Sequence, residues 1–318
     1  MYIGWTEVAK INSTCSPQEN QKNTMEVYAD SNLLNTDQFE QVRVEYEPEF
    51  GITWLFMQPD PRPCFNRICM SELLANQMRI IASHANRQYR PQQPTNYLVL
   101  ASDVEGVFNL GGDLATFKEM ILKQERNKLL EYALLCIENL WTFYDMQPPV
   151  TSISLVRGQA LGGGFEAALS AHVLIAEKGG IGGFPEVLFN LFPGMGAMSF
   201  LSRRIGLNAA EKMIRSGKMY STEELYGMGV VDVLAEVGKG EEALRDWVRK
   251  THKSLNSFQT IQKAKQRVNP LTKQELIDIT EIWVDAALRL TDRNLRIMER
   301  LVHAQNKKVG KSNEVVGV

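Results

Sequence analysis

Two glutamates twenty residues apart carry the clearest chemical signal. Glu166 follows three glycines in R-G-Q-A-L-G-G-G-F-E-A-A (157–168), and Glu186 sits in G-G-F-P-E-V-L-F-N-L-F-P-G-M-G (182–196). Both are embedded in apolar sequence. A carboxyl group withdrawn from water has a raised pKa and exchanges protons near neutral pH. A single glutamate near a helix start is ordinarily a solvated carboxylate favoured by the helix dipole. Two of them, each beside a glycine or proline turn in apolar surroundings, shift that balance toward proton exchange. Two glycine-rich segments accompany them: V-F-N-L-G-G-D-L (107–114) and the segment that leads into Glu166. Each follows an apolar strand and opens a helix. Free N–H groups at such a turn attract negative charge, and two turns side by side would form an oxyanion hole. The same glycines would also suit close helix–sheet packing, and composition alone leaves both readings open.

Other chemistries fit poorly. G-G-G is not the G-x-G-x-x-G fingerprint, and no acidic residue follows at the right distance after a second strand, so a dinucleotide fold is not expected. G-x-x-x-x-G-K-S/T is absent, which argues against a P-loop. Cys15, Cys64, Cys69 and Cys136 match no zinc spacing, and no two of His84, His172, His252 and His303 stand three to five residues apart; no metal site is expected. The sparse cysteines read as free thiols of a reducing compartment. In 318 residues, 35 Lys+Arg balance 37 Asp+Glu for a net charge of −2, which excludes a strongly basic nucleic-acid binder. No apolar run approaches the ~20 residues of a membrane span. Residues 1–32 lack a basic-then-apolar leader, so a cytoplasmic location is expected.

The elements that must hold these residues follow from hydropathy. Residues 51–57 (G-I-T-W-L-F-M) read as the first strand, and Pro59, Pro61 and Pro63 close it. Residues 66–87 have helical spacing at Leu73, Leu74, Met78, Ile81 and Ala85. Strands follow at 97–102, 150–156 and 173–176, with one long helix at about 114–144 between the first two. From Pro193 onward the chain reads as mostly helical, ending in a stretch at 271–307 broken near Thr291-Asp292. Strand–helix–strand order predicts α/β layering with right-handed crossovers. Residues 1–35, rich in Asn, Ser, Gln and Thr, read as a loosely held N-terminal arm. Residues 36–200 form the core with the site, 201–310 a helical C-terminal region, and 311–318 a frayed tail.

At this point the chain resembles a known family. A-L-G-G-G-F-E-A-A resembles the signature of the crotonase, or enoyl-CoA hydratase/isomerase, superfamily. F-N-L-G-G-D-L is similar to its F-x-x-G-x-D segment, and P-E…P-G-M-G to its P-E…P-G-x-G segment. The twenty-residue spacing of the glutamates matches the hydratase branch. The likeness covers roughly residues 45–310. Within the superfamily, the P-R-P-C-F loop (61–65), L-G-G-D-L and the N-terminal extension resemble the bacterial diffusible-signal-factor synthases.

The resemblance implies an α/β fold: a crotonase-type spiral of ββα turns with a helical C-terminal oligomerisation region, assembled as a homotrimer or hexamer. It implies that backbone N–H groups of Gly112 and Gly163 hold a thioester oxygen as an enolate forms. It places the acid/base pair on Glu166 and Glu186, and the positioning of water or hydroxyl on Gly194. The implied activity is dehydration of a 3-hydroxyacyl thioester by an enoyl-CoA-hydratase-type lyase. Glu186 takes the α-proton and Glu166 protonates the departing hydroxyl. In the signal-synthase branch, thioester hydrolysis then releases a cis-2-unsaturated fatty acid used in quorum sensing. No cofactor is implied. The substrate rides on phosphopantetheine, from CoA or from acyl-carrier protein. P-R-P-C-F replaces the usual context after the first strand and with it the usual CoA-adenine contacts, which admits acyl-carrier protein as donor; Leu110, where Ala or Ser is common, would reshape the pocket beside the thioester. An apolar tunnel for the acyl tail draws on Leu161, Met195, Met198, Trp283 and Leu301. For each of these, ordinary core or subunit packing is the competing reading. Ile277, Ile282, Trp283, Ala286, Leu290, Leu295 and Leu301 would give the last helical stretch an apolar face for a neighbouring subunit. A housekeeping enoyl-CoA hydratase or isomerase is the alternative enzyme. A crotonase-fold scaffold that binds a signalling sensor or regulator is the alternative of another class, and retention of both glutamates argues against it.

Overall fold

A computed structural model describes residues 39–85, 94–146 and 150–301. The arm, the tail, Cys15 and His303 lie outside the described residues. Two sheets run through the core. The larger has the order β1-β2-β3-β5-β7-β10, built from β1 (Val42–Glu47), β2 (Ile52–Met57), β3 (Tyr97–Ser102), β5 (Thr151–Val156), β7 (Val173–Glu177) and β10 (Val233–Ala235). All of its neighbours are parallel except β1, which is antiparallel to β2. Parallel strands covered on both faces need apolar residues throughout, and β2, β3, β5 and β7 are buried at every position. Their side chains divide with period two. Ile52, Trp54, Phe56, Val99 and Ile153 pack against Leu244 and Val248, while Leu55, Met57, Leu98 and Leu100 face the main core.

The smaller sheet, β4-β6-β8-β9, consists of three-residue strands: β4 (Val107–Asn109), β6 (Gln159–Leu161), β8 (Ile181–Gly183) and β9 (Met219–Ser221). Each of β4, β6 and β8 follows a long strand after a short corner. The corners stack directly: Gln159 N–H donates to Gly106 O, Ile181 N–H to Gly158 O, and Thr222 N–H to Gly180 O. At Gly158, with φ +81°, a Cβ would sit 2.7 Å from Gly106 Cα. The chain thus repeats long strand, corner, short strand, helix, and rises as a spiral of ββα turns.

Helices fill the remaining layers: α1 (Arg67–Ala85), α2 (Leu114–Leu122), α3 (Arg126–Tyr144), α4 (Gly163–Leu169), α5 (Ala197–Ile205), α6 (Leu207–Ser216), α7 (Thr222–Gly227), α8 (Gly240–His252), α9 (Leu255–Val268), α10 (Lys273–Ala287) and α11 (292–301). The helix expected at 114–144 is two helices. Gln124 takes φ +53°, and its side-chain amide donates to Ile121 O and Leu288 O. The break turns the buried face of α2 (Phe117, Met120, Ile121) independently of that of α3. The helical C-terminal region is present, yet two strands from beyond residue 200, β9 and β10, complete the sheets. The apolar face expected on the last helices turns largely inward. Trp283 and Leu295 are buried, Ile277, Ala286, Leu290 and Leu301 are half-buried against the chain's own core, and Ile282 is exposed. Among the described residues, no helix is long and apolar enough to cross a membrane, and no cluster of three His, Cys, Asp or Glu could hold a metal ion.

Candidate active site

The two glycine segments become two adjacent elbows because β4 and β6 are neighbours in the small sheet. At the first, Asn109 Oδ1 accepts from Gly111 N–H at 2.8 Å, and Gly111 takes φ +93°. The Pro61–Phe65 loop packs behind it: Leu110 N–H donates to Pro63 O at 2.8 Å, and Phe65 N–H to Gly111 O at 2.7 Å. Asp113 then caps α2 by accepting from Ala115 and Thr116 N–H. Its carboxylate also pairs with Arg62 at 2.6 Å. At the second elbow, Gly162 N–H donates to Gly183 O, and Gly162 O accepts from Phe165 and Glu166 N–H as α4 begins. Gly163 is the first residue of α4, so its N–H has no partner in the preceding turn. A Cβ added to Gly163 would lie 3.5 Å from Gly112 N and 3.8 Å from Glu166 Oε2. Both elbows and one carboxylate therefore meet within a few ångströms.

Glu166 is 1% exposed, on the first turn of α4. Its Oε1 accepts from Met195 N–H at 2.8 Å and Ala197 N–H at 2.9 Å. Burial pushes its pKa up to about 7, and the two N–H groups hold it from rising further. Glu186 opens a 3-10 turn, Glu186–Phe189, directly after Pro185. Its Oε2 is buried without a hydrogen-bond partner. Burial, and then the negative charge of Glu166, push Glu186 up to about 8. Two N–H donors on Glu166, against an unpartnered Oε2 on Glu186, favour the negative charge on Glu166, and each carboxyl is held above the ordinary carboxylate range.

These groups line one cavity. It brings together Glu166, Glu186, Gly112, Gly163, Gly194, Met195 and Trp283. The carbonyl of Gly194 accepts from Thr280 Oγ1 at 2.9 Å, and a Cβ on Gly194 would fall 2.5 Å from Trp283 Cδ1. Gly194 is thus where α10 presses onto the site. Leu161, Met198 and Leu301 are not in the lining. Leu161 ends β6 one residue before the elbow, with its carbonyl against Gly111. Met198 follows the sharp turn at Gly196 (φ +121°) and packs into the main core. On α11, Met298 lines the cavity, and Leu301 lies nearly a turn beyond it.

Sequence reasoning missed Gly162, Phe117 and Met298. Gly162 takes φ +52°, ψ −126°, a conformation for glycine alone, and a Cβ there would overlap Glu186 Oε1. Phe117 lines the cavity, packs edge-on against Trp283 at 5.3 Å, and covers Gly112. Its spacing four residues after the Asp113 cap was a usable signal.

The enoyl-CoA hydratase/isomerase family profile matches residues 73–289, and the chain belongs to that family. Among its relatives, methylglutaconyl-CoA hydratase 1, mitochondrial, of Pyricularia oryzae is 36% identical over 144 residues, 45% of this chain and 40% of that protein. Human enoyl-CoA hydratase domain-containing protein 2, mitochondrial, is 29% identical over 205 residues, 64% of this chain and 65% of that protein. The matched region therefore spans 40% and 65% of these two relatives. In fold, the chain superposes on the crystal structure of enoyl-CoA hydratase from Bacillus halodurans with a TM-score of 0.66 at 19% identity, covering 82% of this chain and 100% of the other. It superposes on DspI of Pseudomonas aeruginosa with a TM-score of 0.60 at 23% identity, covering 79% and 90%.

Proposed function

We propose that this chain interconverts 3-hydroxyacyl and 2-enoyl thioesters at the Glu166–Glu186 cavity, and that its product is a cis-2-unsaturated fatty acid signal of the diffusible-signal-factor type. One observation carries the first part: two carboxyls with raised pKa values flank two glycine elbows whose amides adjoin each other. The thioester oxygen sits at the N–H groups of Gly112 and Gly163. Glu186 takes the α-proton, the electron pair moves onto the thioester oxygen, and the enolate is held there. The Cβ–O bond then breaks as Glu166 delivers its proton, and water leaves. The pair holds one proton before the step and one after it. Each oxyanion donor is worth ~10²–10³ in rate and each acid or base ~10²–10⁴.

The signal-synthase reading rests on the likeness of the P-R-P-C-F loop and of Leu110 in the first elbow. It adds hydrolysis of the enoyl thioester, with acyl-carrier protein or CoA as donor. Trp283 and Met195 bound the acyl pocket. A homotrimer or hexamer is part of the proposal, with Leu207, Ile261, Val268 and Ile282 as exposed apolar residues for subunit contact. A cytoplasmic setting and a sensor protein as partner complete it.

One observation favours a second reading, a housekeeping hydratase. The two N–H donors on Glu166 and the unpartnered Oε2 of Glu186 favour a charge on Glu166 and a proton on Glu186, the placement hydration needs: Glu166 activates water and Glu186 protonates Cα. Dehydration starts from the opposite proton placement. Mass spectrometry of products from 3-hydroxyacyl-ACP and 3-hydroxyacyl-CoA separates the readings. The synthase yields free cis-2-enoic acid, preferentially from the ACP substrate. Trans-2-enoyl-CoA with no free acid favours the hydratase, and an unchanged substrate on both carriers overturns both.

A further inference from the structure

Tyr132 lies on α3, away from the lining of the cavity, yet its hydroxyl reaches the first elbow. It donates to Phe65 O and accepts from Asp113 N–H at 3.2 Å. Phe65 and Gly112 form an isolated parallel bridge, with Phe65 N–H on Gly111 O. The bridge is therefore held on one side by Phe65 N–H and on the other by the tyrosine hydroxyl, which links Phe65 to the residue after Gly112. In a parallel pairing the bonds of Phe65 go to the residues flanking Gly112, so the Gly112 amide is left to face the cavity. The phenol is 1% exposed, and its ring stands edge-on to Phe117 at 4.8 Å. Phe117 in turn covers Gly112. Burial pushes the Tyr132 hydroxyl well above its usual range, so it keeps the proton it donates to Phe65 O.

We propose that Tyr132 is a positioning residue for catalysis: its hydroxyl, wedged between Phe65 O and Asp113 N–H, fixes the turn that aims the Gly112 amide at the thioester oxygen. The role also accounts for the Pro61–Phe65 loop, which the mechanism otherwise leaves unused. The loop is the anvil against which the elbow is set, tied by Leu110 N–H on Pro63 O and by Arg62 on Asp113. The proposal rests on the oxyanion role assigned to Gly112 above. A misplacement of about 1 Å in a reacting group can lower a rate ~10²-fold.

Tyr132→Phe removes only the oxygen and keeps the ring contact with Phe117. The expected result is a 10- to 100-fold fall in kcat with KM within twofold of wild type. A second readout follows the thioester carbonyl itself. A conjugated dienoyl-CoA shifts its absorbance to the red when N–H groups polarise its carbonyl, and Tyr132→Phe should lose much of that shift. Leu129→Ala, which empties a buried site on the same helix, controls for general destabilisation. It should melt earlier and keep the full shift. Single-amide hydrogen exchange on the wild-type protein needs no variant: Asp113 N–H should be protected and Gly112 N–H should exchange fast. A Tyr132→Phe protein with wild-type kcat and wild-type shift overturns the proposal. So does a variant that loses the shift no more than Leu129→Ala does, or an Asp113 amide that exchanges as fast as Gly112. If wild-type protein neither turns over the thioester nor shifts its spectrum, the proposed function fails instead, while the exchange result still judges the Tyr132 clamp.

Discussion

Gly162→Ala should separate folding from catalysis at this site. A Cβ at Gly162 would overlap Glu186 Oε1, with Glu186 Cδ at 3.4 Å and Oε2 at 3.8 Å. Ordinary contact begins near ~3.5 Å, so the carboxylate must retreat by about 1 Å. The atom in the way is the far end of a side chain, so packing yields readily. The backbone does not: φ +52°, ψ −126° is glycine territory, and an alanine held there is strained by ~1–3 kcal/mol. For a chain of this size that lowers Tm by several degrees and leaves the protein folded at 25 °C. Catalysis should suffer more, because a base displaced by about 1 Å loses ~10²-fold in rate. The assay is kcat for dehydration of a 3-hydroxyacyl thioester, read beside a thermal melt. A folded Gly162→Ala protein with kcat within threefold of wild type would refute the placement of Glu186 above Gly162 as a catalytic requirement.

Three further outcomes follow from the same geometry. The pH profile of kcat/KM should be a narrow bell with limbs near 7 and 8, the apparent values of the pair: below it no base remains, and above it no acid. Glu186→Gln should abolish turnover but stabilise the fold in a pH-dependent way. The folded pKa of Glu186 is raised, so its penalty appears as pH climbs from the unfolded value of ~4.3 to about 8. The variant should therefore melt near wild type at pH 4.5 and above it at pH 8, and an equal Tm difference at both would contradict the burial. Gly163→Ala should fold well, because its Cβ meets neighbours at 3.5 Å or more, yet lose turnover by crowding the thioester oxygen; unchanged kcat would remove Gly163 from the oxyanion hole.

What was legible in the chain follows from how each element is encoded. β2, β3, β5 and β7 are continuous apolar runs, because both faces of the sheet are covered. The elbows were legible because close backbone approach requires glycine in the sequence itself. β1 was missed although V-R-V-E-Y-E alternates; it is an edge strand in which only Val42 is fully buried. β4, β6 and β8 have three residues each and no room for a period. The break at Gln124 carries no glycine or proline; a contact to Leu288, 164 residues away, sets it. Three of the five acyl-pocket residues fall outside the lining for a related reason. Hydropathy says that Leu161, Met198 and Leu301 are covered, but only the path of the chain says by what.

The cavity is assembled in an order that bears on when activity arises. Both elbows and both carboxylates come from residues 111–186, but Trp283 and Met298 close the chamber from α10 and α11. During synthesis the glutamates leave the ribosome about a hundred residues ahead of their cover. Facing water, each is an ordinary acid of pKa near ~4.3 and a poor proton carrier at pH 7. The C-terminal helices thus complete the water-poor surroundings on which the proposed acid–base chemistry depends, and a nascent chain lacking them would leave the chamber open on that side.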